Sequence, residues 1–150
     1  MKDNTPDFGR RIVVDLSFTS ALAETCRALR EEGLFVLTRF DVRDQFMRDQ
    51  PHAFRPYEIL EVWSPELAFD ALSQELDAGL LLPTRIVLYE LTDGQTAVLA
   101  SEPLAPMAAQ PRWREDFPAL AAVADYQSEC VGRVLAQVQH SAAHQPAVPR

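Results

Sequence analysis

Cysteine is scarce in this chain. Only Cys26 and Cys130 are present, too few and too far apart for a disulfide framework or a zinc ligand set. Unpaired thiols make the cytoplasm the expected compartment. Glycine is nearly as sparse: there are five in 150 residues, and none is spaced as a dinucleotide or phosphate loop. His-Glu-x-x-His, Gly-x-Ser-x-Gly and Cys-x-x-Cys are all absent. These gaps remove the familiar enzyme constellations, and neither a cofactor nor a metal is expected. Basic residues are in deficit, with 14 Lys+Arg against 22 Asp+Glu and a net charge of −8. Such a surface is poorly suited to displacing counterions from nucleic acid or to lying on an anionic membrane. No apolar run approaches the ~20 residues of a membrane span. The first residues, Met1-Lys2-Asp3-Asn4-Thr5-Pro6, do not read as a secretory signal.

What is present is an ordinary globular balance, 47% apolar and 24% charged, enough for one domain with one sizeable core. Arg11 to Leu16 alternates like a strand and is rich in β-branched residues. Thr19 is the expected N-cap of a helix carrying Leu22, Cys26 and Leu29 on one stripe, and Gly33 is its stop. Leu34 to Phe40 reads as a second strand. Asp41 to Asp49 reads as a short polar helix, with Val42 and Phe46 as its buried pair. Tyr57 to Trp63 is a third strand. Ser64-Pro65-Glu66 then opens a helix with hydroxyl cap, N1 proline and first-turn carboxylate, burying Leu67 and Ala71. Arg85 to Leu91 and Gln95 to Ala100 flank Asp93-Gly94, a hairpin signal. From about Pro118 a long helix carries the stripe Leu120, Val123, Gln127, Cys130, Val134 and Val138, with Gln127 as its polar interruption.

The order predicts an α+β fold: a mostly antiparallel sheet backed by helices on one face, plus a long C-terminal helix. Residues 1–9 are expected to be a flexible start and 142–150 a flexible tail. Residues 10–141 form a single domain: a core over 10–102, a linker over 103–117 and the helix over 118–140. The linker assignment rests on three prolines within Glu102–Pro111.

Several segments carry a family resemblance. They are Glu32-Gly33-Leu34-Phe35-Val36-Leu37-Thr38, Phe54-Arg55-Pro56-Tyr57-Glu58-Ile59-Leu60, Ser64-Pro65-Glu66-Leu67-Ala68, Leu80 through Glu90 and Ser101-Glu102-Pro103. In that order and spacing the chain, from residue 11 to about 140, resembles the bacterial and archaeal family called domain of unknown function 302. The resemblance implies a compact α+β sandwich, related in shape to TATA-binding-protein-like folds. It implies no particular reaction. Many relatives have a cysteine directly after the Leu-Pro; here Thr84 follows Leu82-Pro83, so a role built on that thiol does not carry over. Glu61-Val62-Trp63-Ser64 also departs from the family's small residue and Asn before the Pro-Glu-Leu.

Candidate site residues cluster around those segments. His52 titrates in the physiological range and is either an acid/base group or a turn-holding surface histidine. Arg55 and Arg85, with Arg39, lie near strand ends. Convergence of two would make a fork for an anionic group; the alternative is pairing with Glu58, Glu61 or Glu90. Glu61 shares parity with Tyr57 and Ile59, so it either lines a pocket or marks the exposed end of its face. Trp63 offers an aromatic wall and Thr84 a hydroxyl. Tyr57, Tyr89, Cys26 and Cys130 read as core residues. His140 and His144 share a helix face but have no third ligand in view. The expected function is a non-catalytic small-molecule-binding or accessory module, with His52, Arg55, Glu61, Trp63, Thr84 and Arg85 as the candidate binding residues and a small anionic ligand as the candidate occupant. The alternatives are an enzyme of unfamiliar type using His52 and Glu61, or a structural interaction protein. A homodimer is expected, with no nucleic-acid or membrane partner.

Overall fold

Alternating β-branched segments and capped helices build the architecture in sequence order. A computed structural model describes residues 9–49 and 53–145. The expectations for the extreme N-terminus, for His52 and for the tail beyond Gln145 fall outside them. Strand β1 (Arg10–Val14) leads into helix α1 (Phe18–Glu31). Ser17, not Thr19, is the N-cap; its hydroxyl accepts from Ser20 N at 3.2 Å. The buried stripe is Ala21, Thr25, Ala28 and Leu29, one residue round from the predicted one, with Leu22 and Cys26 packed at its margin. Gly33 ends the helix at φ +73°, where the Leu34 amide reaches back to Leu29 O at 2.9 Å, as helix C-termini require.

Strand β2 (Phe35–Asp41) runs into α2 (Val42–Asp49), whose first turn is capped by the Asp41 carboxylate accepting from Asp44 N at 2.9 Å. Phe46 is not buried as predicted but 45% exposed. Strand β3 (Tyr57–Trp63) is followed by α3 (Pro65–Gln74), with the Ser64 cap and N1 proline as predicted. A 3-10 turn over Leu76–Leu81 leads to β4 (Thr84–Thr92), the Asp93-Gly94 turn and β5 (Gln95–Ala100). The predicted linker holds two short helices, α4 (Ala105–Ala108) and α5 (Pro111–Asp116). Its prolines do not prevent helix: Pro106 and Pro111 sit in first turns, where a missing N–H costs nothing. Helix α6 (Pro118–His144) extends past the predicted end, and all six residues of its predicted stripe are buried.

The five strands pair antiparallel in the order β1-β5-β4-β3-β2. Helices α1 and α6 cover one face. Val14, Leu60, Val62, Ile86, Leu88, Val98 and Ala100 meet Leu29, Val131, Val134 and Val138 there. A second cluster joins Ala71, Ala78, Leu104, Leu120 and Val123 between α3, the 3-10 turn, α4 and the first half of α6. Among the described residues neither hydrophobic cluster reaches the sheet's other face, where only the short α2 comes alongside β3 at one end. Its register rows are Arg11–Leu99–Val87–Ile59–Phe40 and Val13–Ala97–Tyr89–Tyr57. Glu61 belongs to this open face. The alternation of β3 was legible, but the core takes Glu58, Leu60 and Val62, not Tyr57 and Ile59. Both faces of β3 are apolar, so parity alone did not say which one the helices cover. Glu58 is tolerated on the covered side because Arg39, reaching from β2, pairs with it.

Candidate functional site

The end of the sheet where β3 leaves and β4 enters brings Trp63, Ser64, Leu82 and Thr84 together. Thr84 opens β4 on the covered face and points at α6. There the Gln127 side-chain amide donates to the Thr84 hydroxyl. Both side chains are buried. The polar interruption in the helical stripe thus has a partner, as a buried amide must. Around this pair stand Leu29 and Leu34 from α1 and its exit, Leu67 and Ala68 from α3, and Val123 and Cys130 from α6. They enclose an apolar slot of about 40 Å³, bordered by Trp63 and Ser64. The slot lies where the two hydrophobic clusters meet, and residues of both line it.

Its volume is close to one water's share of the liquid, ~30 Å³. A metabolite-sized pocket is usually ~300 Å³ or more. The slot therefore admits a larger group only if a bordering side chain moves. Burial pushes the Cys130 thiol up from its ordinary range, against the lowering influence of the Tyr126 hydroxyl and the Arg133 guanidinium. Arg133 Nη2 donates to Cys130 Sγ at 3.2 Å. Cys130 is a lining hydrophobe and not an activated thiolate. Cys26 is likewise raised, chiefly by burial.

The other predicted site residues lie elsewhere. Glu61 and Arg85 are register partners on the open face, 3.9 Å apart, and Glu61 also accepts from the Thr38 hydroxyl at 3.0 Å. Arg55 lies at the opposite end of β3 and donates to Glu90 O at 3.0 Å. Glu90 is five residues along β4 from Arg85, roughly 17 Å at ~3.4 Å per residue. The two arginines therefore do not form the predicted fork for an anion. Trp63 and Thr84 are the two predicted residues that share the slot. Gln127 and Cys130 were read as parts of a helix stripe, and Leu67 as core; all three line it. The polar break at Gln127 was the signal that pointed there.

A wider groove of about 650 Å³ runs between α3 and α6, lined by Glu66, Asp70, Ser73, Gln74, Ala119 and Tyr126. Its charged lining groups are the acids Glu66 and Asp70. No group of three or more His, Cys, Asp or Glu side chains that could hold a metal occurs among the described residues. The His140 and His144 rings lie 4.1 Å apart, tilted by 37°, and His144 Nδ1 bonds His140 O at 2.7 Å. No described helix is long and apolar enough to cross a membrane.

The five-stranded sheet and its helices form an architecture met elsewhere. The family model described as "Domain of unknown function DUF302" matches residues 11–138. The chain belongs to the DUF302 family. No curated protein matches it. Among solved structures, the DUF302 chain is similar to an uncharacterized conserved DUF302 protein from Bacillus stearothermophilus, seen by crystallography. The TM-score is 0.74 at 24% identity, over 89% of this chain and 99% of that one. At that identity the likeness establishes a shared fold.

Proposed function

We propose that this DUF302 chain is a non-catalytic binding module that takes a small, mostly apolar group into the slot beside Trp63. The group is one ring or a short alkyl chain carrying a single polar atom. One observation carries the reading: a satisfied Thr84–Gln127 pair set into hydrocarbon walls at the seam between two cores. The Thr84 oxygen accepts from the amide, so its O–H is left to donate to a ligand. The walls supply the affinity and the hydroxyl the orientation. Ring-sized occupancy requires the Trp63 indole to move outward, since the closed slot holds about 40 Å³. An anionic ligand is not favoured at the slot, because Arg85 faces Glu61 on the other side of the sheet and Arg55, donating to the Glu90 backbone carbonyl, lies at the far end of the strands.

The same proposal takes the layers as the TATA-binding-protein-like sandwich implied by the family resemblance, supported by one antiparallel sheet with α1 and α6 on one side. It places the chain in the cytoplasm, supported by two free thiols. The test uses indole, benzene and 1-hexanol as probes, with emission read for the two non-indole probes on a Trp113→Phe background that leaves Trp63 as the single tryptophan. A saturable rise in Tm with a change in Trp63 emission is expected for at least one probe. Thr84→Val should weaken 1-hexanol binding several-fold and benzene binding little. Absence of any saturable response to all three probes refutes the proposal.

A further inference from the structure

An antiparallel sheet that faces water normally alternates apolar-in with polar-out. This sheet does not. Outward from its open face stand Val13, Leu99, Val87, Ile59, Tyr89 and Tyr57. The β2 edge adds Phe35, Leu37 and Phe40, which are 59%, 54% and 47% exposed. A ladder of aromatic rings extends the face sideways. Tyr89 stacks on Tyr57 at 5.5 Å, Tyr57 lies 6.1 Å from Phe54, and Phe54 meets Phe46 edge-on at 5.0 Å.

The size is right for a protein partner. Five strands ~4.8 Å apart and about five residues long give a projected face on the order of 400 Å². A corrugated face has more accessible area than its projection. The projected face alone is about half the ~800 Å² per partner of a standard interface and matches the largest apolar patch a protein surface usually carries, and the exposed β2 edge and Phe46–Phe54 shoulder add to it.

Charge selects the partner. The chain carries −8, yet the strand residues on this face include only Arg11, Arg85 and Glu61 as charged groups, and Arg85 already faces Glu61. The surplus acid lies elsewhere. A strongly basic or acidic partner finds no complement here, whereas a second copy meets an equally neutral, apolar surface. Stacking face to face also keeps the two acidic remainders pointing apart. We infer that the open sheet face is the interface of a symmetric homodimer, two five-stranded sheets packed against each other.

The test is mass by light scattering on the full chain between about 1 and 100 µM, where a dimer of this kind dissociates on dilution. Val87→Glu puts an unpaired charge mid-face and is expected to weaken association by roughly 100-fold or more. Phe69→Ser, on exposed α3 away from this face, should leave it unchanged. A wild type that is monomeric throughout, or a dimer lost in Phe69→Ser and kept in Val87→Glu, overturns the inference. Should Val87→Glu fail to fold, tyrosine footprinting of the wild type decides. Tyr57 and Tyr89 should be protected at high concentration and released on dilution, while Tyr126, on α6, reacts equally at both. Protection of Tyr126 alone overturns it.

Discussion

The two faces of one sheet differ in what they pack against, not in how apolar they are. In β4 the covered residues Ile86 and Leu88 alternate with Val87 and Tyr89 on the open side. In β3, Leu60 and Val62 alternate with Ile59 and Tyr57. The covered set is sealed by α1 and α6; the open set is only half-buried. A strand apolar on both sides usually belongs to a sheet buried on both sides. Among the described residues α1 and α6 cover one side, and the surface that covers the other is inferred to come from a second copy.

Substitutions can break that comparison. The largest effect is expected from Leu88→Ala or Leu60→Ala, both fully buried. Each should cost about 2–5 kcal/mol in urea unfolding, as cavities in cores do. Val87→Ala and Ile59→Ala on the same strands should cost about 1 kcal/mol or less when the protein is dilute. Equal losses from the two faces would show that the open face is as well packed as the covered one.

A smaller effect concerns the slot. Gln127→Leu leaves the buried Thr84 hydroxyl without its donor and should cost about 1–3 kcal/mol. Thr84→Val leaves the amide unpaired in the same way. The double variant should lose less than the sum of the two, with a coupling of about 0.5 kcal/mol or more in a double-mutant cycle. Strict additivity would mean that the two side chains do not pair.

The smallest effect is in the thiols. Burial raises Cys26 and Cys130, so the folded chain holds these protons more tightly than the unfolded chain. Their contribution to stability is present below the unfolded thiol's range and is lost as pH rises through the folded values. Alkylation by iodoacetamide should be slower than for the unfolded chain at pH ~8, with Cys130, the more buried thiol, the slower of the two. Fast alkylation of Cys130 in the folded protein would show that the slot opens readily.

Much of the fold was legible along the chain. The β3 and β5 bounds, the Ser64-Pro65 helix start, the Asp93-Gly94 turn and the α6 stripe all follow from local rules of alternation, capping and period. The misreadings were of another kind. Ser17 and Thr19 are both competent caps, and the choice between them depends on where β1 stops. Prolines at 103–111 look like breakers, but Pro103 lies ahead of α4 and Pro106 and Pro111 fall in first turns. Phe46 looked buried because nothing in α2 reveals that its neighbour is a partly exposed Phe54. The candidate site was half legible. Trp63 and Thr84 stand where the chain departs from the family pattern, but closeness to strand ends groups Arg55 and Arg85 with them, and strand parity adds Glu61. Register separated them, because a one-residue step along a strand moves a side chain to the other face.

The sequence by itself determined the five strands, the four longer helices, their order and the α+β class, because caps, turns and periodicity act between near neighbours. Tertiary structure decided which face of the sheet the helices cover, because an apolar residue on either side of β3 satisfies the same local pattern. It also decided that Thr84 meets Gln127 across 43 residues of chain while Glu61, on the strand beside Thr84, looks the other way. That choice depends on where two hydrophobic clusters close against each other, and no short window of residues contains it.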